Sequence, residues 1–208
     1  MKPFKPVLLV LLIVPAFVGC KLATLLAPDP RPLVSAQFKL SKAKKTAVLI
    51  DDYMAPIQSP ELKAELAQKV AANLTEGGAL RAGDLIGSDK VNDVSKESDE
   101  GKKNSIQRIG RDLGADIVVY VNVVDFNLQS DPDNPLIQPQ ARAYVKVVDV
   151  ASGERLWPID ITGQPVQATT RMEGDLASDT SAKAQATEKI IDKLAAQVAE
   201  LFFEHRED

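Results

Sequence analysis

The chain has 208 residues, of which 45% are apolar and 26% charged, with a formal net charge of -4. This composition excludes an intrinsically disordered chain, a collagen-like rod and a multi-pass membrane protein. Its single cysteine excludes a disulfide framework and a thiolate metal cluster, and its single histidine, His205, removes most histidine-based catalysis.

The first 19 residues have the features of an export signal. Lys2 and Lys5 form a short positive segment, and an uncharged apolar run over residues 7–18 follows, interrupted only by Pro15. As a helix this run would rise about 18 Å, which is too short for a bilayer core of about 30 Å. The run therefore predicts a cleaved signal peptide over residues 1–19 rather than a membrane span.

The signal ends in the string Phe17-Val18-Gly19-Cys20, which contains the only cysteine of the chain. The string resembles the lipobox of bacterial lipoproteins, although Phe17 stands where leucine is usual. The resemblance implies cleavage between Gly19 and Cys20, followed by a diacylglycerol thioether and an N-acyl chain such as palmitate on Cys20. Several acyl chains make membrane anchoring effectively permanent. The alternative is a soluble secreted protein in which Cys20 is a free thiol.

Lys21 follows the cysteine, and no aspartate stands there to signal inner-membrane retention. We therefore expect an exported chain that is anchored to the outer membrane and faces the periplasm. Residues 20–43 are predicted to form a basic, proline-bearing tether, which anionic lipid headgroups would attract. A solvated linker whose lysines only keep it soluble is an equal alternative. Residues 44–208 are predicted to form a single acidic domain, which argues against nucleic-acid binding.

The first half of this domain predicts strands and helices in alternation. An aliphatic run over residues 46–52 predicts a buried strand. Ser59-Pro60-Glu61 is a helix start, and leucine or valine at every fourth position predicts a helix that ends at Gly77-Gly78. Residues 80–86 predict a short second strand, and residues 87–103 a mobile loop.

The second half contains the strongest strand. A helix is predicted from Asn104 or Ser105 to Gly114, and the almost wholly apolar segment 116–126 predicts a strand buried on both faces. The remaining predictions are a loop over 127–139, an antiparallel strand over 140–150, its hairpin partner over 155–162, and a long last helix from Thr180 or Ser181. Residues 163–180 predict no element.

These elements predict an α/β fold. We expect a two- or three-layer sandwich with a mixed sheet of four to five strands, a C-terminal antiparallel hairpin and about three helices. Because binding residues concentrate on exposed loops, loops 87–103 and 127–139 are the first candidates for a binding surface.

Two strings carry a resemblance to a known superfamily. Residues 109–119 (IGRDLGADIVV) are similar to its helix-to-strand turn, and residues 147–157 (VVDVASGERLW) to its hairpin. The superfamily comprises periplasmic lipoproteins such as the curli-secretion lipoprotein (CsgG) and the penicillin-binding-protein activator lipoprotein (LpoB). The likeness extends over about residues 44–205.

The resemblance implies structural roles and no catalytic residue. Gly114 would end a helix, Gly153 would allow a hairpin turn, and Trp157 would cover the sheet edge or the core. Asp116 and Asp149 belong to the same motifs. The sequence offers no membrane hairpins like those of the channel-forming member, because the segments available are too short or too polar.

Catalytic patterns are missing from the sequence or occur where they cannot act. No phosphate-binding loop, dinucleotide fingerprint or metalloprotease motif occurs, and we expect no metal or cofactor beyond the lipid. Ser41 to Lys44 fits S-x-x-K, but it lies in the predicted tether, where no pocket would lower the lysine pKa. Asp51 and Asp52 point to opposite faces of a strand and cannot share a proton.

We therefore expect a non-enzymatic accessory lipoprotein that binds another envelope protein, in cell-wall synthesis or in an export assembly. One alternative is a homo-oligomeric ring at the outer membrane, as some members of the superfamily form. A second alternative is a hydrolase that uses Asp51, Asp52 or Asp116.

Overall fold

A computed structural model describes most of the chain. The described residues are 31–52, 56–57, 59–91, 106–128, 136–173 and 180–207. The predicted signal peptide, Cys20 and the first part of the predicted tether lie outside them, as do most of the two candidate binding loops. By its internal contacts the chain divides into a large unit, Val34–His205, and a small unit formed by the residues up to Leu33 and from Arg206 onwards.

The described residues form the following strands and helices. The strands are β1 (Leu33–Val34), β2 (Thr46–Asp51), β3 (Ile117–Asn127), β4 (Leu136–Ile137), β5 (Gln140–Asp149), β6 (Arg155–Trp157), β7 (Gln164–Thr169), β8 (Met172–Glu173) and β9 (His205–Arg206). The helices are α1 (Pro60–Glu76), α2 (Ile106–Leu113) and α3 (Thr180–Glu200), with a 3₁₀ turn at Ala82–Asp84. In this part of the chain, no helix has the length and apolar character needed to cross a bilayer.

The main sheet has five strands, in the order β2-β3-β5-β6, with β7 beside β5. β2 runs parallel to β3, with Thr46 opposite Ile117 and Asp51 opposite Asn122. β5 runs antiparallel to β3. The two-stranded pairs β4–β8 and β1–β9 complete the pairing of the described strands. The predicted α/β fold with a mixed sheet is confirmed.

Helices cover both faces of the sheet. On one face α1 and α3 pack through Leu66, Val70, Ile190 and Leu194 against alternate residues of the strands. On the other face α2 packs through Ile109 against the remaining residues of β2 and β3. β3 is therefore buried on both sides, which is why its sequence is almost continuously apolar.

The start and end of α1 follow from local chemistry. The Ser59 hydroxyl accepts a hydrogen bond from the Leu62 amide at 3.3 Å, and Pro60 occupies the first turn, where its missing amide proton costs nothing. At the other end the Gly77 amide donates to the Asn73 carbonyl at 2.8 Å. The predicted helix is confirmed at both ends.

The predicted strand over residues 80–86 is wrong. The segment forms the 3₁₀ turn, and it meets the sheet at only one bridge, between Thr46 and Leu85. The Arg81 guanidinium donates to the Asp84 carboxylate at 2.7 Å, and this local contact stabilises a turn. The Ile86 amide donates to the Thr46 carbonyl, and one bond is too little to add a strand.

A long hairpin forms the antiparallel side of the sheet. Its outgoing arm contains β4 and β5, and its returning arm contains β6, β7 and β8. Val147 lies opposite Trp157 while Val145 lies opposite Gln164, so the six residues Pro158–Gly163 stand where the outgoing arm has only Lys146. We call Pro158–Gly163 the insert.

The hairpin corrects two sequence expectations. The predicted partner strand over residues 155–162 pairs only at Arg155–Trp157, because Pro158 has no amide proton to donate and the chain turns out of the sheet. The segment 163–180, for which no element was predicted, contains β7 and β8.

Residues 34–43 pack with the large unit rather than extending from it as a tether. Leu40 is buried, and the Phe38 ring lies 6.0 Å from the ring of Trp157, measured between centroids. The Gln37 amide donates to the Leu201 carbonyl at 2.8 Å. The apolar residues Phe38 and Leu40 explain this packing, since burying them removes hydrocarbon from water.

Close packing of α2 on the sheet gives the first prediction. A Cβ added at Gly110 would lie 2.5 Å from a methyl group of Val150 and 3.0 Å from one of Val118. Alanine gains up to about 1 kcal/mol of helix propensity over glycine, but forcing an extra methyl group into a packed core costs about 1–3 kcal/mol. We expect Gly110→Ala to lower the free energy of unfolding, measured by urea denaturation.

Gly83→Ala is the matched control, because a Cβ at Gly83 meets no atom within 4 Å. Its free energy of unfolding should stay within about 0.5 kcal/mol of the parent chain. A Gly110→Ala protein as stable as the parent would contradict the packing of α2.

Candidate functional site

The helix-to-strand turn at residues 109–119 ties the start of two strands together. Gly114 has a φ of +69°, a conformation that favours glycine, and the Ala115 amide donates to the Gly110 carbonyl at 2.8 Å. The Asp116 carboxylate accepts a hydrogen bond from the Lys45 amide at 2.7 Å, and the Asp116 amide donates to the Lys45 carbonyl at 2.8 Å. Asp116 therefore sets where β2 and β3 begin.

The hairpin turn is held by Asp149. Its carboxylate accepts hydrogen bonds from the Ser152 amide at 3.0 Å and the Ser152 hydroxyl at 3.1 Å. The ammonium group of Lys44 lies 3.0 Å away and forms an ion pair with it. The Ser152 amide, and next the Lys44 ammonium, lower the pKa of Asp149 from its ordinary 3.8 to about 2. Gly153 follows with a φ of +75°.

Trp157 lies at the end of β6 and joins two distant parts of the large unit. Its ring centroid is 6.0 Å from that of Phe38 and 5.9 Å from that of Phe202, in tilted and edge-to-face arrangements. Such aromatic pairs contribute about 0.5–1.5 kcal/mol beyond their burial. The ring packs against the main core as a partly buried residue.

The acidic residues of the hydrolase alternative are engaged separately. The Tyr120 hydroxyl donates to the Asp51 carboxylate, and the Asp52 carboxylate lies 2.9 Å from the Lys63 ammonium group on α1. Burial, and next the bond to Asp51, raise the pKa of Tyr120, which keeps its phenol a donor. The two carboxylates thus have different partners, on β3 and on α1.

Asp116 is far from both of them. It precedes the start of β3, whereas Asp51 lies opposite Asn122, so about 20 Å of strand separates the two ends. The structure does not bring Asp51, Asp52 and Asp116 together. Among the residues that the structure describes, no cluster of three or more His, Cys, Asp or Glu side chains could hold a metal ion.

The insert contains the two most exposed large apolar side chains of the described residues. Ile159 is 98% exposed and Ile161 is 77% exposed, although isoleucine is among the residues most often buried. Leu156, at 43%, is the next exposed large apolar residue on this arm. The insert therefore carries an apolar tip, Ile159 and Ile161, out of the sheet into solvent.

Hydrogen bonds fix the shape of the insert. The Arg155 guanidinium donates to the carbonyls of Pro158 and Ile159, both at 2.8 Å. The Asp160 carboxylate accepts from the Thr162 amide at 2.7 Å, and this contact lowers the pKa of Asp160. The Gly163 amide donates to the Asp160 carbonyl at 3.2 Å and closes the turn.

Gly163 allows the chain to return to the sheet. Its φ is +108°, and a Cβ at this position would lie 3.0 Å from the Val145 carbonyl oxygen and 3.2 Å from side-chain carbons of Lys146. A larger residue would therefore push the start of β7 away from β5.

Sequence reasoning missed the insert because its residues 159–162 (IDIT) alternate apolar and polar side chains as a strand does. A signal was present in Pro158, Asp160 and Gly163, which are turn residues.

Comparisons with known proteins find no matching family model and no matching curated protein. Several solved structures are similar in part. The PelC dodecamer from Paraburkholderia phytofirmans has 17% identity and a TM-score of 0.41, with 81% of this chain and 95% of that chain covered. The hypothetical protein CT253 from Chlamydia trachomatis has 17% identity and a TM-score of 0.43, covering 75% and 95%.

Lipoprotein GNA1162 from Neisseria meningitidis has 15% identity and a TM-score of 0.39, covering 73% of this chain and 94% of that chain. With TM-scores below 0.5, these similarities assign neither a family nor a function. None of these three is a curli-secretion or penicillin-binding-protein activator lipoprotein, the members named for the sequence resemblance.

The second prediction concerns the pH dependence of the hairpin turn. The folded-state pKa of Asp149 is about 2 and its ordinary value is 3.8. Because folding lowers this pKa, the stabilisation is fully present above pH 3.8 and is lost as the pH falls through about 2. We expect a carboxyl titration followed by NMR to show Asp149 ionising near pH 2.

Lys44→Gln provides the control. It removes the ion pair but keeps the Ser152 amide bond, so the pKa of Asp149 should rise without reaching 3.8. An Asp149 that titrates at its ordinary value in the parent chain would show that the turn is not formed as described.

Proposed function

We propose that the protein is a lipid-anchored accessory protein of the bacterial envelope that binds another protein and catalyses no reaction. The observation that carries the proposal is that these acidic residues have structural partners. Asp116 and Asp149 hold backbone turns, Asp52 pairs with Lys63, and Asp51 accepts from Tyr120. These carboxylates stabilise the fold, and their separation supports a binding role over a hydrolytic one.

The N-terminal sequence supports membrane anchoring. A short positive segment, an apolar run and a cysteine directly after Gly19 are the features of a lipoprotein signal. An acylated Cys20 would keep the domain on the membrane, and Lys21 after it favours the outer membrane, with the domain in the periplasm. Membrane anchoring raises the local concentration of the domain near other envelope proteins.

The edge of the hairpin is the surface we assign to the protein partner. In the described part of the chain, β7 pairs with β5 only, so its other side is an open edge of the sheet. Val166 and Ala168 point into the core, whereas Gln167 and Thr169 are exposed. An extended segment of a partner can add to such an edge through main-chain hydrogen bonds.

Lipidation is the third prediction. Mass spectrometry of the chain isolated from bacterial membranes should show an N-terminus at Cys20 that carries a diacylglycerol and an acyl chain. Cys20→Ser is the control, since serine has no thiol to form the thioether. An unmodified Cys20, or an intact leader in the cytosol, would contradict the proposed anchor.

The fourth prediction tests the partner surface. A photocrosslinking amino acid in place of Gln167 should capture a second envelope protein in intact cells. The same substitution at Lys189, an exposed residue in the middle of α3, is the matched control and should capture much less.

The identity of the crosslinked protein distinguishes the accessory role from the homo-oligomeric ring. Capture of a different protein supports the accessory role. Capture of only a second copy of this chain would favour the homo-oligomeric ring, and equal yields at Gln167 and Lys189 would contradict the edge of β7 as a binding surface.

A further inference from the structure

The proposed accessory role gives no function to the exposed aliphatic side chains of the apolar tip. Ile159 and Ile161 are separated by one residue and together expose two aliphatic side chains at the end of the insert. Exposed apolar side chains that are scattered singly are ordinary on protein surfaces. Two on one short turn, at 98% and 77% exposure, are a local concentration of hydrocarbon in water.

The tip is held in a fixed shape. The Arg155 guanidinium binds two consecutive carbonyls of the insert, and Asp160 caps the Thr162 amide. Both ends of the insert join paired strands, β6 and β7. Because the backbone is already ordered, burying the two isoleucines elsewhere would require little further loss of conformational entropy.

We propose that the apolar tip inserts into the surface of the membrane that carries the chain, with Ile159 and Ile161 in the region between headgroups and acyl chains. This inference rests on the proposed lipid anchor at Cys20. It assigns to the insert a separate role, which is to orient the anchored domain.

A lipid surface fits the tip better than a protein does. Protein interfaces take about 800 Å² from each partner, with a packed centre in which Trp, Tyr and Arg dominate the binding energy. Ile159 stands almost clear of its own protein, and the Arg155 side chain is already bonded within the insert. An isolated aliphatic pair needs only an apolar medium, which a bilayer supplies without a complementary shape.

The length of the chain outside the described residues is compatible with this contact. The 11 residue-to-residue steps from Cys20 to Arg31 can span at most about 40 Å when fully extended. A compact unit of the size of Val34–His205 has a diameter of about 40 Å. The extended anchor segment and the large unit are thus of similar length.

Charges beside the tip suit an anionic headgroup layer. Arg155 and Lys146 are both close enough to act on the Asp160 carboxylate, and Lys146 lies against Gly163 at the base of the insert. Arg155 and Lys146 place two positive charges beside the insert, and Asp160 is the one negative charge within it. Anionic headgroups would therefore attract the base of the insert while they repel the acidic remainder of the domain.

A depth probe at the tip tests this inference. The acylated chain with Ile159→Cys, labelled with the polarity-sensitive dye NBD, is reconstituted into vesicles of phosphatidylethanolamine and phosphatidylglycerol. Cys20 is blocked by its lipid, so the new thiol is the only one that reacts. We expect the emission to shift to the blue, to brighten severalfold and to be quenched by brominated acyl chains.

Lys189→Cys is the matched control on the exposed side of α3, and its probe should keep the emission it has in water. Ile161→Cys should repeat the result of Ile159→Cys and guards against a variant that fails to fold. Adding Ile161→Ser to the labelled Ile159→Cys chain should weaken the quenching, because half of the tip is lost.

Each contrary result has a distinct meaning. A chain that floats with the vesicles while the probe at position 159 stays in water overturns membrane insertion and leaves the lipid anchor intact. A blue shift that depends on protein concentration and needs no vesicles assigns the tip to a protein contact instead. A parent chain that stays off the vesicles and takes the dye at Cys20 overturns the anchor, and with it this inference.

Discussion

The fold depends on the pairing of β3 with strands on both of its edges while helices cover both of its faces. β2 lies parallel along the first half of β3, Ile117–Asn122, and β5 lies antiparallel along almost the whole of it. A parallel pair needs a crossover connection, and the chain between β2 and β3 contains both α1 and α2. These helices lie on opposite faces of the sheet, so one crossover supplies cover for both sides.

The hairpin fixes the position of the exposed insert relative to this central sheet. β5 is fixed by β3, and the returning arm is fixed by β5, so the insert starts and ends at positions that the sheet determines. An irregular loop at the end of a sheet could change its direction relative to the strands. The insert instead leaves and re-enters one arm opposite Lys146, with Arg155 bonded across its base. An ordered loop of this kind can present Ile159 and Ile161 in a constant direction.

The proposed roles use different parts of the same arm. The insert would contact lipid, and the edge of β7, which follows directly, would contact protein. Because the two are consecutive in the sequence, a protein bound at β7 would lie near the membrane surface. This arrangement is consistent with an accessory factor for a membrane-associated assembly. It needs no chemistry from Asp51, Asp52 or Asp116, which have structural partners of their own.

Local signals predicted the elements whose ends are set by nearby residues. Ser59 and Gly77 bound α1, and the apolar run of β3 could only be a buried strand. Elements whose pairing depends on distant residues were harder to predict. β7 was missed because only Val166 and Ala168 of its six residues face the core, and that number is too small for a periodicity signal.

The insert was missed for a related reason. Apolar residues in alternation have the same sequence period on a strand and on an exposed turn, and only the partner strand decides between them. Gly114, Gly153 and Asp149 could be located from the sequence, since each acts within its own turn. The contacts of Asp149 with Lys44 and of Trp157 with Phe38 could not, because each joins residues more than 100 positions apart.

Amide hydrogen exchange of the acylated chain on anionic vesicles tests the central claim most directly, because it reports on the hairpin and on the membrane contact together. We expect slow exchange at the β7 amides that bond to β5 and, in the insert, slower exchange than in the exposed turn at residues 151–154. Equal rates in the two turns, or fast exchange throughout β7, would contradict it.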